Sequence, residues 1–366
     1  MARGKRLAAV VAGCSTVACW LTFAQSTGPG NTAVLGLSVP RFTSVSNADL
    51  VGLGRALFQD KRLSRDGTVS CASCHDPTLA FTDGRVVATG VGGARGTRNA
   101  PTLLNVTYQQ SLFWDGRRST LEAQAADPFF NPRELGLADP AELISKLTAD
   151  AVYREAFQTI FGETSKEPTL AQVTQALAAF ERTLLAADSP FDRYYYAHEK
   201  RALSESARRG LEVFQSAARC SQCHTIGTAD ALFTDGHFHG GVGLKGIATR
   251  LAQLTRQAAS LSATQVSELV TVDLELAALG RFLVTKDPQD IGKYKTPSLR
   301  NVALTAPYMH DGSLATLREA VEYEIYYRSI ELGRPLVVTP SERDDLVAFL
   351  QALTSPCVAQ HNCPGM

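Results

Sequence analysis

Apolar residues in the middle of the chain recur at helical spacing. Val173, Leu177, Phe180 and Leu184 fall three or four apart and predict a helix over Leu170 to Leu185. The Ser189-Pro190 pair then breaks the pattern, since proline brings no backbone N–H. Asp49 to Phe58, Leu251 to Phe282 and Glu342 to Leu353 also read as helices. Leu121 and Leu317, each behind a threonine, open two more. Strand-like alternation is scarce, so the expectation is an all-α fold.

The helical pattern is written twice. Gly54, Leu57 and Phe58 are echoed by Gly210, Val213 and Phe214, and Phe81-Thr82-Asp83-Gly84 by Phe233-Thr234-Asp235-Gly236. Pro101-Thr102-Leu103-Leu104-Asn105-Val106 corresponds to Pro297-Ser298-Leu299-Arg300-Asn301-Val302. Ten residues beyond each Asn stands the Asp of a D-G pair, Asp115 and Asp311, and six further on come Leu121 and Leu317. Shared offsets of this kind are the mark of an internal duplication. The expected organisation is an N-terminal unit over residues 49–196 and a C-terminal unit over 197–366, joined near Asp192 to Glu199. The Tyr194-Tyr195-Tyr196 run is expected to pack between the halves.

Each half carries one C-x-x-C-H run, Cys71-Ala72-Ser73-Cys74-His75 and Cys220-Ser221-Gln222-Cys223-His224. This is the attachment sequence of a c-type haem. Two thiols on one turn meet the two vinyl groups of the porphyrin, and the following His lies under the iron as an axial ligand. A single copy would equally suit a zinc or redox C-x-x-C site. Two copies with the His in the same place favour two covalent haems.

The 36 basic and 36 acidic residues cancel, so no strong field points to nucleic acid or an anionic membrane surface. No internal apolar run is long enough to span a bilayer. Residues 1–24 differ: a basic lead, Met1 to Arg6, precedes an apolar stretch from Leu7 to Ala24. That pattern predicts a secretory signal, followed by an extended leader over 25–48. Val11-Ala12-Gly13-Cys14 leaves a lipoprotein site as an alternative, and an uncleaved anchor is another. Of eight cysteines, Cys14 and Cys19 fall in the signal and four in the haem motifs. Cys357 and Cys363 remain, and an oxidising compartment favours a small disulfide between them over two free thiols or a metal site with His361.

With Phe113-Trp114-Asp115-Gly116-Arg117 in the first half and Pro307-Tyr308-Met309-His310-Asp311-Gly312 in the second, the paired motifs resemble the bacterial diheme cytochrome c peroxidases. The MauG-type enzymes belong to the same superfamily. The resemblance covers the chain from Asp49 to Leu353. It implies two tandem cytochrome c-like domains in a periplasmic enzyme. The N-terminal haem would react with hydrogen peroxide, and the C-terminal haem would take electrons from a small cytochrome c or copper protein. In a MauG-type enzyme the reductant is instead a side chain of a partner protein, and a diheme electron carrier without catalysis is a third reading. The oligomeric state is left open, a homodimer included.

The resemblance also assigns residues. Trp114 would lie between the haems and pass charge, with a structural role as its alternative. Gln124, Pro128 and Glu134 match the family's peroxide pocket. Glu134 would move a proton from the inner to the outer oxygen of peroxide, as a general acid–base does, while Gln124 orients the peroxide and Pro128 shapes the pocket. The plainer alternative for Glu134 is a carboxylate beside a helix N-terminus in Asn131-Pro132-Arg133-Glu134. A calcium ion between the halves is implied too, held by the Asn99 side chain and the Thr305 and Pro307 carbonyls, hard oxygen donors of the kind calcium takes.

Two departures from the family pattern matter. Many of these peroxidases carry a distal His on the first haem, but no His lies between His75 and His198, and Gly90 to Arg98 offers no strong ligand. An open or water-bound first haem is therefore expected, one that needs no reductive activation. The family's second-haem ligand, Met or Tyr, stands fourteen residues after the HDG His, and here that position is Glu324. Glu324 is the expected ligand, with Tyr323 or Tyr327 as alternatives and an open site as a third. An oxygen ligand would favour ferric iron, where a Met thioether raises the potential. His239 is expected to support the second haem, and His198 to carry no site role.

Overall fold

The computed structural model describes residues 34–39, 47–162 and 167–363. The expected signal and most of the leader lie outside the described residues. The first helices are α1 (Ala48–Gln59), α2 (Cys71–Cys74), α3 (Leu121–Phe130), α4 (Pro140–Ala149), α5 (Ala151–Phe161) and α6 (Leu170–Glu181). Then come α7 (Pro190–Tyr195), α8 (Glu205–Gln215), α9 (Leu244–Ile247), α10 (Leu251–Ala259), α11 (Ala263–Leu269), α12 (Leu274–Ala277) and α13 (Phe282–Thr285). Last are α14 (Leu317–Glu331), α15 (Pro340–Gln351) and α16 (Pro356–Ala359). The sheet content described is one pair of three-residue strands, β1 (Phe238–Gly240) antiparallel to β2 (Lys293–Lys295), with His239 opposite Tyr294. The fold is mainly helical, as the periodicity predicts.

The single helix expected over Leu251 to Phe282 is broken into four. Ser262 starts α11 with a capping box to Gln265, and the Asp273 carboxylate accepts from the amides of Glu275 and Leu276 to start α12. Gly280, at φ 57°, turns the chain before α13. Apolar periodicity runs across these interruptions because all four short helices bury their faces in the same place. Leu254, Val266, Leu276, Leu279 and Phe282 close that core, which is separate from the two larger ones.

The larger cores are built around crossing helix pairs, α1 on α6 and α8 on α15. A Cβ on Gly54 would lie 1.9 Å from the Ala176 carbonyl oxygen, and one on Gly210 would lie 1.9 Å from that of Asp345. Only glycine permits either approach. Phe58 then meets Phe180 at 5.1 Å in the first core, and Phe214 meets Phe349 at 5.0 Å in the second. Asn105 and Asn301 both adopt φ 60°, and their side-chain oxygens accept from the amides of Ala186 and Ser355. The positions that echo each other in sequence thus do the same structural work.

Three connections cross this plan. Helix α7 sends Phe191 into the second core, where Tyr194, Tyr195 and Tyr196 pack with it. Cys357 and Cys363 are joined in a disulfide, and with Val358 they pack on the first core. Residues 34–39 form a strap: the Gly36 carbonyl accepts from Arg300 Nη2 at 2.6 Å and from the Ala231 amide at 3.1 Å. Arg300 also holds the buried Asp192 carboxylate through both terminal nitrogens, at 2.8 and 2.9 Å. No helix of the described residues is long and apolar enough to cross a membrane.

Candidate active site

Each C-x-x-C-H run sits on a tight turn with its His at the exit. Ser70 caps the single turn of α2, and a 3₁₀ turn over Cys220–Gln222 serves the second run. The His75 Nδ1 lies 3.1 Å from the Phe81 carbonyl oxygen, and the His224 Nδ1 2.8 Å from that of Phe233. Phe81 and Phe233 both take positive φ, 58° and 53°, which turns each carbonyl toward its imidazole. A carbonyl fixes Nδ1 as the protonated nitrogen and leaves Nε2 as the free donor, the arrangement metal-ligating histidines use. Burial pushes both imidazoles down, His224 to about 4, so both stand in the neutral form a metal binds. Burial likewise pushes the thiols of Cys71, Cys74 and Cys220 up to about 12.

All six motif residues line one cavity of about 700 Å³. A continuous space with a neutral, oriented imidazole and a cysteine pair at each end fits two haem groups.

At the first end stand Gln124, Pro128 and Glu134. Thr120 caps α3, and Gln124 and Pro128, four residues apart, share its cavity face. Pro128 has no N–H, so the Gln124 carbonyl loses its helical donor there. Beyond α3 the chain folds back, with the Leu135 amide on the Pro128 carbonyl and the Glu134 amide on that of Asn131. The Glu134 carbonyl accepts from the Val91 amide at 2.9 Å. Burial pushes the Glu134 carboxyl up to about 7, with Arg117 pulling it back and Asp127 adding to the rise. Arg117 is itself on the cavity wall, stacked 3.4 Å from the Phe113 ring centre and paired with the buried Asp115 at 3.0 Å.

Trp114 lines the same cavity, pinned at both ends. Its Nε1 donates to the Asn99 carbonyl at 2.9 Å, and its own carbonyl accepts from the Lys295 amide at 2.8 Å. Lys295 reaches the same wall, where burial pushes its amine down to about 8. His310 stacks on Tyr294 at 3.6 Å, and its carbonyl accepts from the Asn99 amide. Asn99, Thr305 and Pro307 all line the cavity. The Asn99 Nδ2 donates to the Arg85 carbonyl at 2.8 Å, which keeps Oδ1 as an oxygen donor of the same hard kind as the Thr305 and Pro307 carbonyls on this cavity wall. Such a set fits calcium.

At the second end Glu324 lines the cavity, and burial raises its pKa. Arg328, four residues on, lies 3.5 Å from its Oε2 and is on the same wall. Tyr323 and Tyr327 stack on each other at 5.9 Å and are not among the lining residues. His239 lines the cavity too; its Nε2 lies 2.8 Å from Asp235 Oδ2, and a hydrogen bond to Cys223 helps push it up to about 9. His198 is exposed.

The sequence reading left out several wall residues. Arg117 stands in the quoted FWDGR motif, which was the signal to find it. Lys295 sits two residues before the repeated Pro297, and Glu181 ends a helix whose stripe was plain. Thr271 had no signal: it lies in the broken helical region, far from either motif.

A single cavity lined by two Cys-Cys-His sets defines a two-centre, cytochrome-type oxidoreductase. Residues 48–201 match the sequence model of the di-haem cytochrome c peroxidases. The chain is 35% identical to the cytochrome-c peroxidase IdrP1 of a Pseudomonas species, over 87% of this chain and 84% of that one. It is 36% identical to the methylamine utilization protein MauG of Methylorubrum extorquens, over 83% of this chain and 77% of that one. A solved structure of a MauG-like protein associated with microbial copper homeostasis superposes with a TM-score of 0.69 at 32% identity, covering 92% of this chain and 97% of that one. The chain belongs to the di-haem cytochrome c peroxidase family and is an oxidoreductase.

Proposed function

We propose that the protein reduces hydrogen peroxide to water at a first haem held by Cys71, Cys74 and His75. Electrons would enter at a second haem held by Cys220, Cys223 and His224 and come from a small cytochrome c or copper protein. The observation that carries this reading is Glu134, a half-buried carboxyl poised at about 7 on the wall shared with His75 and Gln124. A bound haem supplies the iron that takes up peroxide and accepts its oxidising power. The protein's own part is proton handling. Glu134 receives the proton of the inner peroxide oxygen and returns it to the outer one; an acid–base group works best with a pKa near the working pH. Gln124 orients the peroxide, Pro128 shapes the pocket, and Arg117 steadies the charge of Glu134. Trp114, held at both ends, carries charge between the two sites.

Glu324 is the oxygen ligand proposed for the second site, supported by its place on the wall while Tyr323 and Tyr327 lie off it. Asn99, Thr305 and Pro307 would hold one calcium ion. Two tandem cytochrome c-like units over 49–196 and 197–366, exported to the periplasm, complete the reading. The paired glycine crossings and matching asparagines support the duplication.

The test is turnover of peroxide with reduced cytochrome c by the oxidised protein, with no prior reduction. Donor oxidation is expected, and Glu134→Gln should lower it by roughly 10²-fold or more. Unchanged turnover in that variant rejects the role of Glu134, and a low-spin bis-His first haem by EPR rejects the open site. Glu324 in place of a Met favours a second reading, MauG-like oxidation of side chains in a partner protein. A long-lived oxidised state that no small donor discharges would select it.

A further inference from the structure

We propose that Thr271, from the core of α10 to α13, positions the Glu134 carboxyl by fixing Asn131. This rests on the role of Glu134 given above. Thr271 and Asn131 are both buried, at 5% and 7% exposure, and 140 residues apart in sequence. Asn131 Nδ2 donates to Thr271 Oγ1 at 2.9 Å. The same hydroxyl lies 3.1 Å from Asn131 Oδ1 and 3.3 Å from the Glu268 carbonyl, either of which can take its one proton.

What Asn131 does locally makes this pairing matter. Its carbonyl accepts from the amides of Glu134 and Gly136, both at 3.0 Å, and its Oδ1 from the amide of Arg133 at 2.9 Å. The turn that aims Glu134 is therefore organised by one asparagine, and the far side of that asparagine is held by Thr271. Thr271 also lines the cavity that Gln124, Pro128 and Glu134 line. Docking of the α10–α13 core does not depend on this one hydroxyl. Thr97 Oγ1 donates to the Val270 carbonyl at 2.5 Å and Arg98 to that of Ala277 at 2.6 Å. Losing the hydroxyl should leave the core docked and the asparagine amide without its acceptor, a burial that favours rearrangement of the turn.

Thr271→Val keeps the shape and removes the hydroxyl; Thr271→Ser restores it. In the haem-loaded protein, Thr271→Val should lower kcat roughly tenfold with KM within about twofold, as expected when a catalytic group is misplaced while binding persists. The inflection of its pH–rate profile should move away from the wild-type position. Hydrogen exchange of the Arg133, Glu134 and Gly136 amides should quicken while that of α10 to α13 stays as in the wild type. Thr271→Ser should recover both readouts. A valine variant with wild-type exchange at these amides and a wild-type pH profile overturns the proposal. Should that variant not fold, Asn131→Ala, which keeps the carbonyl, must show the same two changes. Glu134→Gln is run alongside. Full turnover there defeats the assignment of Glu134 itself, whereas an inactive Glu134→Gln beside an unaltered Thr271→Val defeats only the positioning role.

Discussion

Glu181 shows how one residue makes two similar sites unequal. Phe180 and Phe349 occupy matching places on α6 and α15, and the next residues are Glu181 and Leu350. Both line the cavity, at 5% and 6% exposure. The leucine is at home there, but the Glu181 Oε2 has no hydrogen-bond partner. Burial pushes its carboxyl up to about 8, Arg182 pulling it back and Glu122 adding to the rise. In the unfolded chain it would ionise near 4.5, so between those values the folded state binds more protons. Its contribution to stability is therefore lost as pH climbs through that window. Glu181→Leu should raise the free energy of unfolding by on the order of a few kcal/mol at pH 8, seen as a higher thermal midpoint, and the gain should shrink toward pH 4. A pH-independent gain would contradict this. Sequence alone marks residue 181 as the end of a stripe; that it is an orphaned acid on the cavity wall emerges only when the helices cross.

The elements themselves were legible where pattern and punctuation agreed. Val173, Leu177 and Phe180 announce α6, and the Thr169 cap confirms where it begins. The stripe continues to Leu184, yet the helix stops at Glu181, because a buried Leu184 can be reached from a turn as well as from a helix. The region after Leu251 failed as one helix because periodicity cannot see the caps of Ser262 and Asp273. Spacing gives no hint of why Gly54 and Gly210 are glycines; the crossing geometry does. Gly54→Ala should force α1 off the Ala176 carbonyl and lower stability by about 1–3 kcal/mol, the usual penalty for overpacking, as followed by denaturant unfolding. The same change at the half-buried Gly52, where a Cβ would meet open space, should cost nothing or help.

For the whole molecule, the motifs named the cysteines and histidines that line the cavity, and the shared offsets singled out Gly54 with Gly210 and Asn105 with Asn301 as positions of like geometry. Three features escaped because they join residues far apart: the α10–α13 core on the first pocket, α16 on the first core, and the strap over residues 34–39. Composition carries no trace of such long-range ties. If the oxidised protein is titrated with peroxide between pH 5 and 9, the wild type should show an inflection near 7 set by Glu134, and Glu134→Gln should lack it. An identical inflection in both would assign it to another group.

The strap has a consequence for how the molecule is made. The Gly36 carbonyl and the Arg300 guanidinium that claims it are 264 residues apart. The second core draws on Phe191 at one end and on Leu346, Phe349 and Leu353 at the other, so it closes only after Arg300 is made. Asp192 has Ser189 beside it from the start, but the guanidinium that balances its charge lies 108 residues further on. Loop closure over so long a span is slow relative to the local helix pairs. The strap precedes both Arg300 and α15 in the chain, yet it is seated only once the second core and its arginine are in place.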